Sequence, residues 1–376
     1  MGNSPLSGVA DAATVTKFYT EQAWIEGRSE DQMTQVAQWP GMRQIAGFPD
    51  LHPGRHGPVG AAFLADRIYP QLIGPDIGCG MALFALDLPP RRLKLDKAAR
   101  RMRVLQDPFE RTLAETALEA AGLSAGPGVE GLGSIGGGNH FCEVQEVVHA
   151  QEGSPIAKGT LCLLVHTGSR GHGARVFTAL DDPWRDGFLP GSAAADDYLV
   201  LHDVAQRWAA VNRLTIARRA AEALGSEVRL ICDAPHNHLA AVDGLWLHRK
   251  GAAGPDCGLA PLAGSRETHS FLLRARHDAP DAALASLSHG AGRRYDRASM
   301  HGRIKRSRSS LAAMERTALG GRVICEDRDL MIEEAGAAYK DAGHVAAELE
   351  RFGLAHRIAT MAPRVTFKCT RTEGKR

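Results

Sequence analysis

The 376-residue chain lacks paired cysteines and long apolar runs. None of its seven cysteines forms a C-x-x-C pair, which argues against a disulfide framework or a zinc ribbon. No stretch approaches the roughly 18 apolar residues of a membrane span, and residues 1–22 contain no basic region followed by an apolar one. Leu6 stands where N-myristoylation prefers Ser or Thr. We therefore expect a cytoplasmic protein in a reducing compartment.

Net charge is also nearly absent, because 45 Lys and Arg residues against 43 Asp and Glu residues leave a formal charge of +2. Taken alone, this balance argues against a strongly charged partner such as nucleic acid. The charge is unevenly placed, however, since residues 289–310 carry seven basic side chains against the single acidic Asp296. A solvated basic face is the plainer interpretation. The Ser-His-Gly sequence that begins this segment favours the alternative, an anion- or polynucleotide-binding surface.

Hydrophobic residues make up 44% of the chain and charged residues 23%, as in ordinary globular proteins. The sequence has no internal repeat and no low-complexity linker. Apolar residues recur at helical spacing in residues 91–123, 196–224 and 329–352. Short β-like runs lie between them, at Leu161–Val165, Val228–Ile231, Leu245–Leu247, Phe271–Leu273 and Val323–Ile324. Strands and helices do not alternate regularly, so the sequence predicts a mixed α+β architecture.

Histidine and glycine are abundant, with 16 and 41 residues, and they concentrate in short polar segments beside apolar runs. Residues 74–81 hold Asp76 and Cys79 three positions apart, next to Gly78 and Gly80. Glycine lets a turning backbone approach closely, so carboxylate and thiolate could face one ion. A tight turn with a buried thiol is the plainer interpretation of an isolated D-x-x-C pattern.

Three further segments place a histidine at the edge of an apolar run. His140 follows three glycines, whose amides could hold a phosphate, and His166 precedes Arg170, which could bind a phosphate through two hydrogen bonds. A single histidine at a strand end, such as His236, is more often structural. Together, however, one Asp, one Cys and three His form the mixed ligand set of a transition-metal site, enough for two ions. Zinc or manganese suits this set better than magnesium, which thiolate disfavours.

Residues 286–293 place His289 among small residues, with Arg293 and Arg297 at four-residue steps after it. If a helix starts there, the two arginines share one of its faces. An accessible imidazole near positive charge is neutral at neutral pH and could act as a nucleophile. It would need a carboxylate to set its tautomer, and Asp50 is the candidate. A glycine turn with an exposed histidine is the alternative.

In their order along the chain, these segments resemble the RtcB family of RNA ligases, the tRNA-splicing ligase type, from about Ile45 to about Lys368. The motifs that carry the resemblance are D-I-G-C-G-M, G-G-G-N-H-F-x-E, V-H-[ST]-G-S-R-G and S-H-G-A-G-R. The resemblance implies one domain over residues 1–376, with mixed β-sheets flanked by helices around a central metal cleft. It also implies GTP and two Mn²⁺ ions. The reaction would join RNA ends carrying a 3′-phosphate or 2′,3′-cyclic phosphate to 5′-hydroxyl ends, in RNA repair or tRNA splicing.

The resemblance further assigns roles to individual residues. His289 would attack the α-phosphate of GTP and become guanylylated, and Asp50 would orient it. The implied metal ligands are Asp76, Cys79, His140, His166 and His236, with the cysteine bridging the two ions. Guanylate binding is implied for Asn139, Glu143, Ser265, Tyr339 and Lys368, and binding of the RNA phosphate for Arg170 and Arg297.

The chain also departs from the usual family pattern. Ala234-Pro235 stands where Cys-His often precedes the His-Asn pair, and residues 263–266 read A-G-S-R in place of P-G-S-M. We therefore expect a divergent subgroup, and repair of cleaved tRNA or ribosomal RNA is one hypothesis for its task. A metal-dependent phosphoesterase and a non-catalytic RNA-binding protein are the alternatives.

Overall fold

The computed structural model describes residues 12–126, 128–180 and 186–368. The α-helices in these ranges are α1 (Gly27–Val36), α2 (Pro70–Ile73), α3 (Leu95–Met102), α4 (Arg111–Ala120), α5 (Gly171–Thr178), α6 (Ala193–Leu224), α7 (Arg297–Arg303), α8 (Arg308–Ala313), α9 (Arg328–Glu333) and α10 (Ala342–Arg351). The strands are β1 (Thr14–Lys17), β2 (Met42–His52), β3 (Val59–Ala65), β4 (Gly80–Leu86), β5 (Phe141–Ala150), β6 (Leu161–Thr167), β7 (Val228–Pro235), β8 (Asn237–Val242), β9 (Leu245–Lys250), β10 (Ala252–Ala253), β11 (Leu259–Leu262), β12 (Ser270–Ala275), β13 (Leu287–Ser288), β14 (Arg322–Ile324) and β15 (Ala355–Phe367).

The strands form two main sheets. Five strands pair in the order β1-β2-β3-β9-β8, and seven others in the order β11-β12-β15-β5-β6-β4-β7, with β14 added beside β15. The outer strands β11 and β7 of the larger sheet also lie against each other, so this sheet is nearly closed. β10 and β13 form a separate short ladder that packs against β3 and β2 of the five-stranded sheet. Mixed sheets flanked by helices confirm the α+β class expected from the sequence.

The larger sheet is apolar on both faces, and β4 illustrates the arrangement. Met81, Leu83 and Ala85 pack on the inner face with residues of β6, β7, β12 and β15. The intervening residues pack outward against α3 and α6. Because side chains alternate between the faces of a strand, a strand buried on both faces is a continuous apolar run.

The pairing brings distant segments to one edge of the larger sheet. Neighbours among β5, β6, β4 and β7 are antiparallel, so the starts of β5 and β4 lie beside the ends of β6 and β7. The end of β15 and the turn between β11 and β12 lie at the same edge, since these strands continue the antiparallel order. The polar segments identified in the sequence therefore meet there.

All five of the short apolar runs lie within strands, and residues 196–224 lie within α6. The other two helical stretches are interrupted. Residues 91–123 form α3 and α4, because Pro108 has no backbone N–H and favours an extended conformation at Asp107. Residues 329–352 form α9 and α10, separated by the extended backbone of Tyr339. Within the described ranges, no helix has both the length and the hydropathy needed to cross a lipid bilayer.

Candidate metal and nucleotide site

The five side chains expected to bind metal converge at this edge of the larger sheet. Sγ of Cys79 lies 3.4 Å from Nε2 of His140 and 3.3 Å from Nε2 of His166. Nε2 of His166 lies 3.3 Å from Nε2 of His236. Nε2 of His140 lies 3.0 Å from Oδ2 of Asp76. The thiol and all three imidazoles are buried.

The spacing of these donor atoms fits a bound transition metal. Metal bonds of about 2.0–2.3 Å at roughly tetrahedral angles separate neighbouring ligand atoms by about 3.3–3.8 Å, and the distances among the thiol and the three imidazoles lie in this range. Nδ1 of His166 donates to the carbonyl oxygen of Asn139, 3.2 Å away, which leaves the lone pair on Nε2, facing the cluster. Nδ1 of His140 and Nδ1 of His236 are buried without a hydrogen-bond partner in the described part of the chain.

The electrostatics of the cluster agree with this fit. Burial lowers the pKa of His166 and of His236 well below the usual value, so both imidazoles are neutral and carry a lone pair for a metal. Burial also raises the pKa of the Cys79 thiol well above its usual value. A thiolate at this position therefore needs a cation beside it, and a bound metal supplies one.

His289 lies beside the cluster, with its ring centroid 4.3 Å from that of His236. Its Nδ1 is 2.8 Å from Oδ2 of the fully buried Asp50 and 2.6 Å from the carbonyl oxygen of Gly251. Both neighbours can only accept a hydrogen bond, so Nδ1 carries the hydrogen and Nε2 the lone pair. The backbone N–H of His289 donates to the same Asp50 oxygen at 3.3 Å. The ring is thus held in the tautomer that a nucleophile requires.

A cavity of about 400 Å³ extends from the cluster, within the size range of small-molecule sites. Its walls include the five residues expected to bind guanylate: Asn139, Glu143, Ser265, Tyr339 and Lys368. Burial raises the pKa of Glu143 to about 7, although the hydroxyl of Thr366 and the charge of Lys368 oppose the shift. Burial lowers the pKa of Lys368. Because the charge of Lys368 acts on Glu143, a hydrogen-bond acceptor and a basic side chain lie close together in the cavity wall.

The two arginines expected to bind RNA phosphate differ in position. Arg297 lines the cavity and Arg170 does not. The glycines before Asn139 make room for both guanidinium groups: a Cβ on Gly136 would lie 1.8 Å from Nη1 of Arg170, and a Cβ on Gly138 would lie 2.9 Å from Nη2 of Arg297. Both glycines have a positive φ, of 97° and 66°. The loop that the sequence predicted to hold a phosphate therefore also leaves space for the two arginine side chains.

Glu334 is a further residue of the site, and no sequence motif predicted it. Its fully buried carboxylate lies 3.0 Å from Arg293, 3.4 Å from Arg297 and 3.4 Å from Lys368, and the hydroxyl of Tyr339 donates to it. Burial alone would raise its pKa, but the charges of Lys368 and Arg293 lower it to about 2. The only signal in the sequence is an acidic pair at residues 333–334, inside an apolar stretch before Tyr339.

The basic segment 289–310 does not form one helical face. Helix α7 begins at Arg297, where the side chain of Asp296 caps it, so Arg293 precedes the helix. The two arginines therefore share a carboxylate, not a helix face. Arg303 instead lies over the ring of Tyr295, 3.7 Å from its centroid.

The comparisons with known proteins agree on one family. A family model described as tRNA-splicing ligase RtcB matches residues 32–120 and 110–369. The RNA-splicing ligase RtcB2 of Escherichia coli is 39% identical over 360 residues, which cover 93% of this chain and 94% of that protein. The RNA-splicing ligase RtcB of Mycobacterium tuberculosis is 28% identical, with 88% of this chain and 98% of that protein covered. The tRNA-splicing ligase RtcB of Pyrobaculum aerophilum is 26% identical, with 96% and 93% covered. Motifs, fold and relatives together place the chain in the RtcB family.

Proposed function

We propose that this chain, an RNA ligase of the RtcB family, uses GTP to join an RNA end carrying a 3′-phosphate or 2′,3′-cyclic phosphate to a 5′-hydroxyl end. The observation that carries this proposal is the fixed tautomer of His289. Asp50 and Gly251 hold the hydrogen on Nδ1, so the lone pair of Nε2 is available beside the metal-ligand cluster. A metal-dependent phosphoesterase, which uses a metal-bound hydroxide, and a binding protein need no such nucleophile.

In the first step, Nε2 of His289 attacks the α-phosphorus of GTP. A nitrogen–phosphorus bond forms, and pyrophosphate leaves. The ring gains positive charge as the bond forms, and the buried Asp50 carboxylate stabilises that charge through Nδ1–H. When Asp76, Cys79, His140, His166 and His236 hold one or two Mn²⁺ ions, the metal supplies Lewis-acid stabilisation of phosphate charge.

The guanine base fits the end of the cavity formed by Glu143 and Lys368. The N1–H and the amino group of guanine would donate hydrogen bonds to the Glu143 carboxylate. Lys368 would donate a hydrogen bond to O6 of guanine. Both side chains are buried and line the cavity. Adenine has neither of these features at the corresponding positions, so we expect selectivity for GTP over ATP.

In the later steps, the 3′-phosphate of RNA takes the guanylyl group from His289, and the 5′-hydroxyl of the second RNA end displaces GMP. A cyclic phosphate would first be opened by hydrolysis. Arg170 and Arg297 are the side chains we expect to bind the RNA phosphates, and of these two Arg297 lines the cavity that contains His289. Cleaved tRNA or ribosomal RNA stays the hypothesis for the natural substrate.

The test is covalent labelling of the purified protein with α-³²P-GTP and Mn²⁺. A phosphoramidate on His289 predicts a protein-bound label that is stable to alkali and lost in acid. His289→Ala should abolish the label. His149→Ala, which changes an exposed histidine on β5, should retain it. The labelled protein should then join RNA with a 3′-phosphate to RNA with a 5′-hydroxyl. A label that persists in His289→Ala, or a wild-type protein that binds Mn²⁺ and takes no label, would contradict the proposal.

A further inference from the structure

A second imidazole of the cavity, His52, has no part in the steps above. It ends β2, two residues after Asp50, and lines the same cavity as His289. Its Nδ1 lies 2.8 Å from the carbonyl oxygen of Asp50. A carbonyl oxygen can only accept, so Nδ1 carries the hydrogen and Nε2 carries the lone pair. Among the described residues, none forms a hydrogen bond with Nε2.

Asp50 therefore sets the tautomer of two rings at once. Its side chain accepts from Nδ1 of His289, and its main-chain carbonyl accepts from Nδ1 of His52. Each ring is left with an Nε2 lone pair in one cavity. His289 is the proposed nucleophile. His52 has the same tautomer, but the steps above give it no role.

The backbone around Asp50 is held firmly. The pairing of β2 with β3 shifts register between Gly47 and His52, so the segment leaves the regular ladder, as is common beside active sites. Nζ of Lys340 donates to the carbonyl oxygens on either side of Asp50, at 3.1 Å to Pro49 and 2.7 Å to Leu51. These contacts fix both imidazoles relative to each other.

Burial keeps His52 neutral, and the groups that face it modify this effect. Burial lowers its pKa to about 4; the carbonyl and charge of Asp50 oppose this shift, and the charges of His289 and Lys340 add to it. Phosphate groups that enter the cavity bring negative charge, which raises the pKa of a nearby imidazole towards neutrality. A base whose pKa approaches the working pH is the most effective for proton transfer.

We propose that His52 is the general base of the sealing step and accepts the proton of the RNA 5′-hydroxyl on Nε2. This inference rests on the proposed function. The 5′-oxygen forms a bond to the phosphorus of the guanylylated 3′-phosphate. The bond from that phosphorus to the bridging oxygen of GMP breaks, GMP leaves with the electron pair, and the hydroxyl proton moves to His52. Of the two imidazoles that donate hydrogen bonds to Asp50, His289 thus acts as the nucleophile and His52 as the base.

The test separates sealing from guanylylation. RNA whose 3′-end already carries the guanylyl group is mixed with 5′-hydroxyl RNA, so that only the last step is measured. In His52→Asn, the amide N–H can still donate to the Asp50 carbonyl, but no base remains. Sealing should slow by about 100-fold or more, whereas labelling of His289 by GTP should fall by less than about threefold. That labelling also shows that the variant is folded and that Asp50 still orients His289.

The matched control is His56→Asn, which changes a histidine of the same loop that is absent from the cavity wall. It should seal within about threefold of the wild type. The wild-type sealing rate should fall on the acid side of its pH profile, and His52→Asn should lack this limb. Equal losses in labelling and sealing, no loss in sealing, or sealing that requires His289 and not His52 would each overturn the proposal. Failure of the proposed function looks different, because the wild-type protein would then neither take the label nor seal.

Discussion

Replacing Glu334 with glutamine should destabilise the protein by about 3–5 kcal/mol at neutral pH, the usual effect of removing one partner from a buried ion pair. The substitution keeps the shape of the side chain and removes its charge. The wild-type carboxylate is fully buried, and its partners Arg293 and Lys368 are only 14% and 6% exposed. Glu334→Gln would leave these two cations buried beside each other without a counter-charge.

The destabilisation caused by Glu334→Gln can also be calculated from the pKa of Glu334. It lies at about 2 in the folded protein, compared with 4.5 for an ordinary glutamate. A shift of this size corresponds to about 3 kcal/mol of stabilisation. Because the folded-state pKa is lowered, the stabilisation is complete above about pH 4.5 and is lost as the pH falls through about 2. The stability difference between wild type and Glu334→Gln should be constant above about pH 5 and should narrow below it.

The assay is equilibrium unfolding in urea at several pH values, with Glu333→Gln as the matched control. Glu333 is the adjacent residue, 25% exposed, and lies 3.9 Å from Arg297 and 3.1 Å from His301. Its substitution should cost no more than about 1 kcal/mol. With a slope of about 3 kcal/mol per molar urea, a loss of about 3–5 kcal/mol in Glu334→Gln should lower the unfolding midpoint by about 1–1.7 M. Equal midpoints for the two variants, or a difference that does not narrow in acid, would refute the reasoning.

Three further predictions concern the expected metal ligand Cys79, the carboxylate Glu143 that we expect to bind guanine, and the glycine loop before Asn139. Cys79→Ala should lose bound manganese, measured by elemental analysis, and with it guanylylation, whereas Cys162→Ala in the same sheet should keep both. GTP affinity should rise about tenfold between about pH 6 and pH 8 as Glu143, with a pKa of about 7, ionises; calorimetry on Glu143→Gln should show no such slope. Gly136→Ala, whose Cβ would lie 1.8 Å from a guanidinium nitrogen, should lower RNA ligation at least about tenfold. Gly159→Ala should not, because its φ of 84° is also positive but no atom lies within 4 Å of the added Cβ.

The expected metal ligands could be found in the sequence because each one lies beside a strand end and a glycine, proline or asparagine. These are local signals, and the antiparallel order of β5, β6, β4 and β7 turns them into one cluster. The order itself could not be predicted, since nothing in the separate apolar runs says which strands pair. Strands β2 and β15 escaped prediction for a local reason: glycine or proline interrupts their apolar patterns.

Contacts between residues that are far apart in the sequence could not be predicted, for a different reason. Asp50 and His289 are 239 residues apart, and the packing of β13 against β2 brings them together. Asp50 was named from a motif, but its contact with the histidine required the structure. Glu334 had no motif at all. Its burial can be explained only when Arg293 and Arg297 from the basic segment 289–310 and Lys368 from the end of β15 are brought beside it.

Two fully buried carboxylates organise the site. They explain how a chain of net charge +2 can hold several cations in place where a polyanion would bind. Asp50 fixes two imidazoles in one tautomer, and Glu334 holds three cations at the cavity wall. Cations that already have an anionic partner can stay in place at low free-energy cost before the ligand arrives. Phosphates that enter the cavity then share these cations with Glu334, so binding does not have to assemble them. We therefore expect charge placement, and not total charge, to determine the affinity of this cavity for nucleotide and RNA.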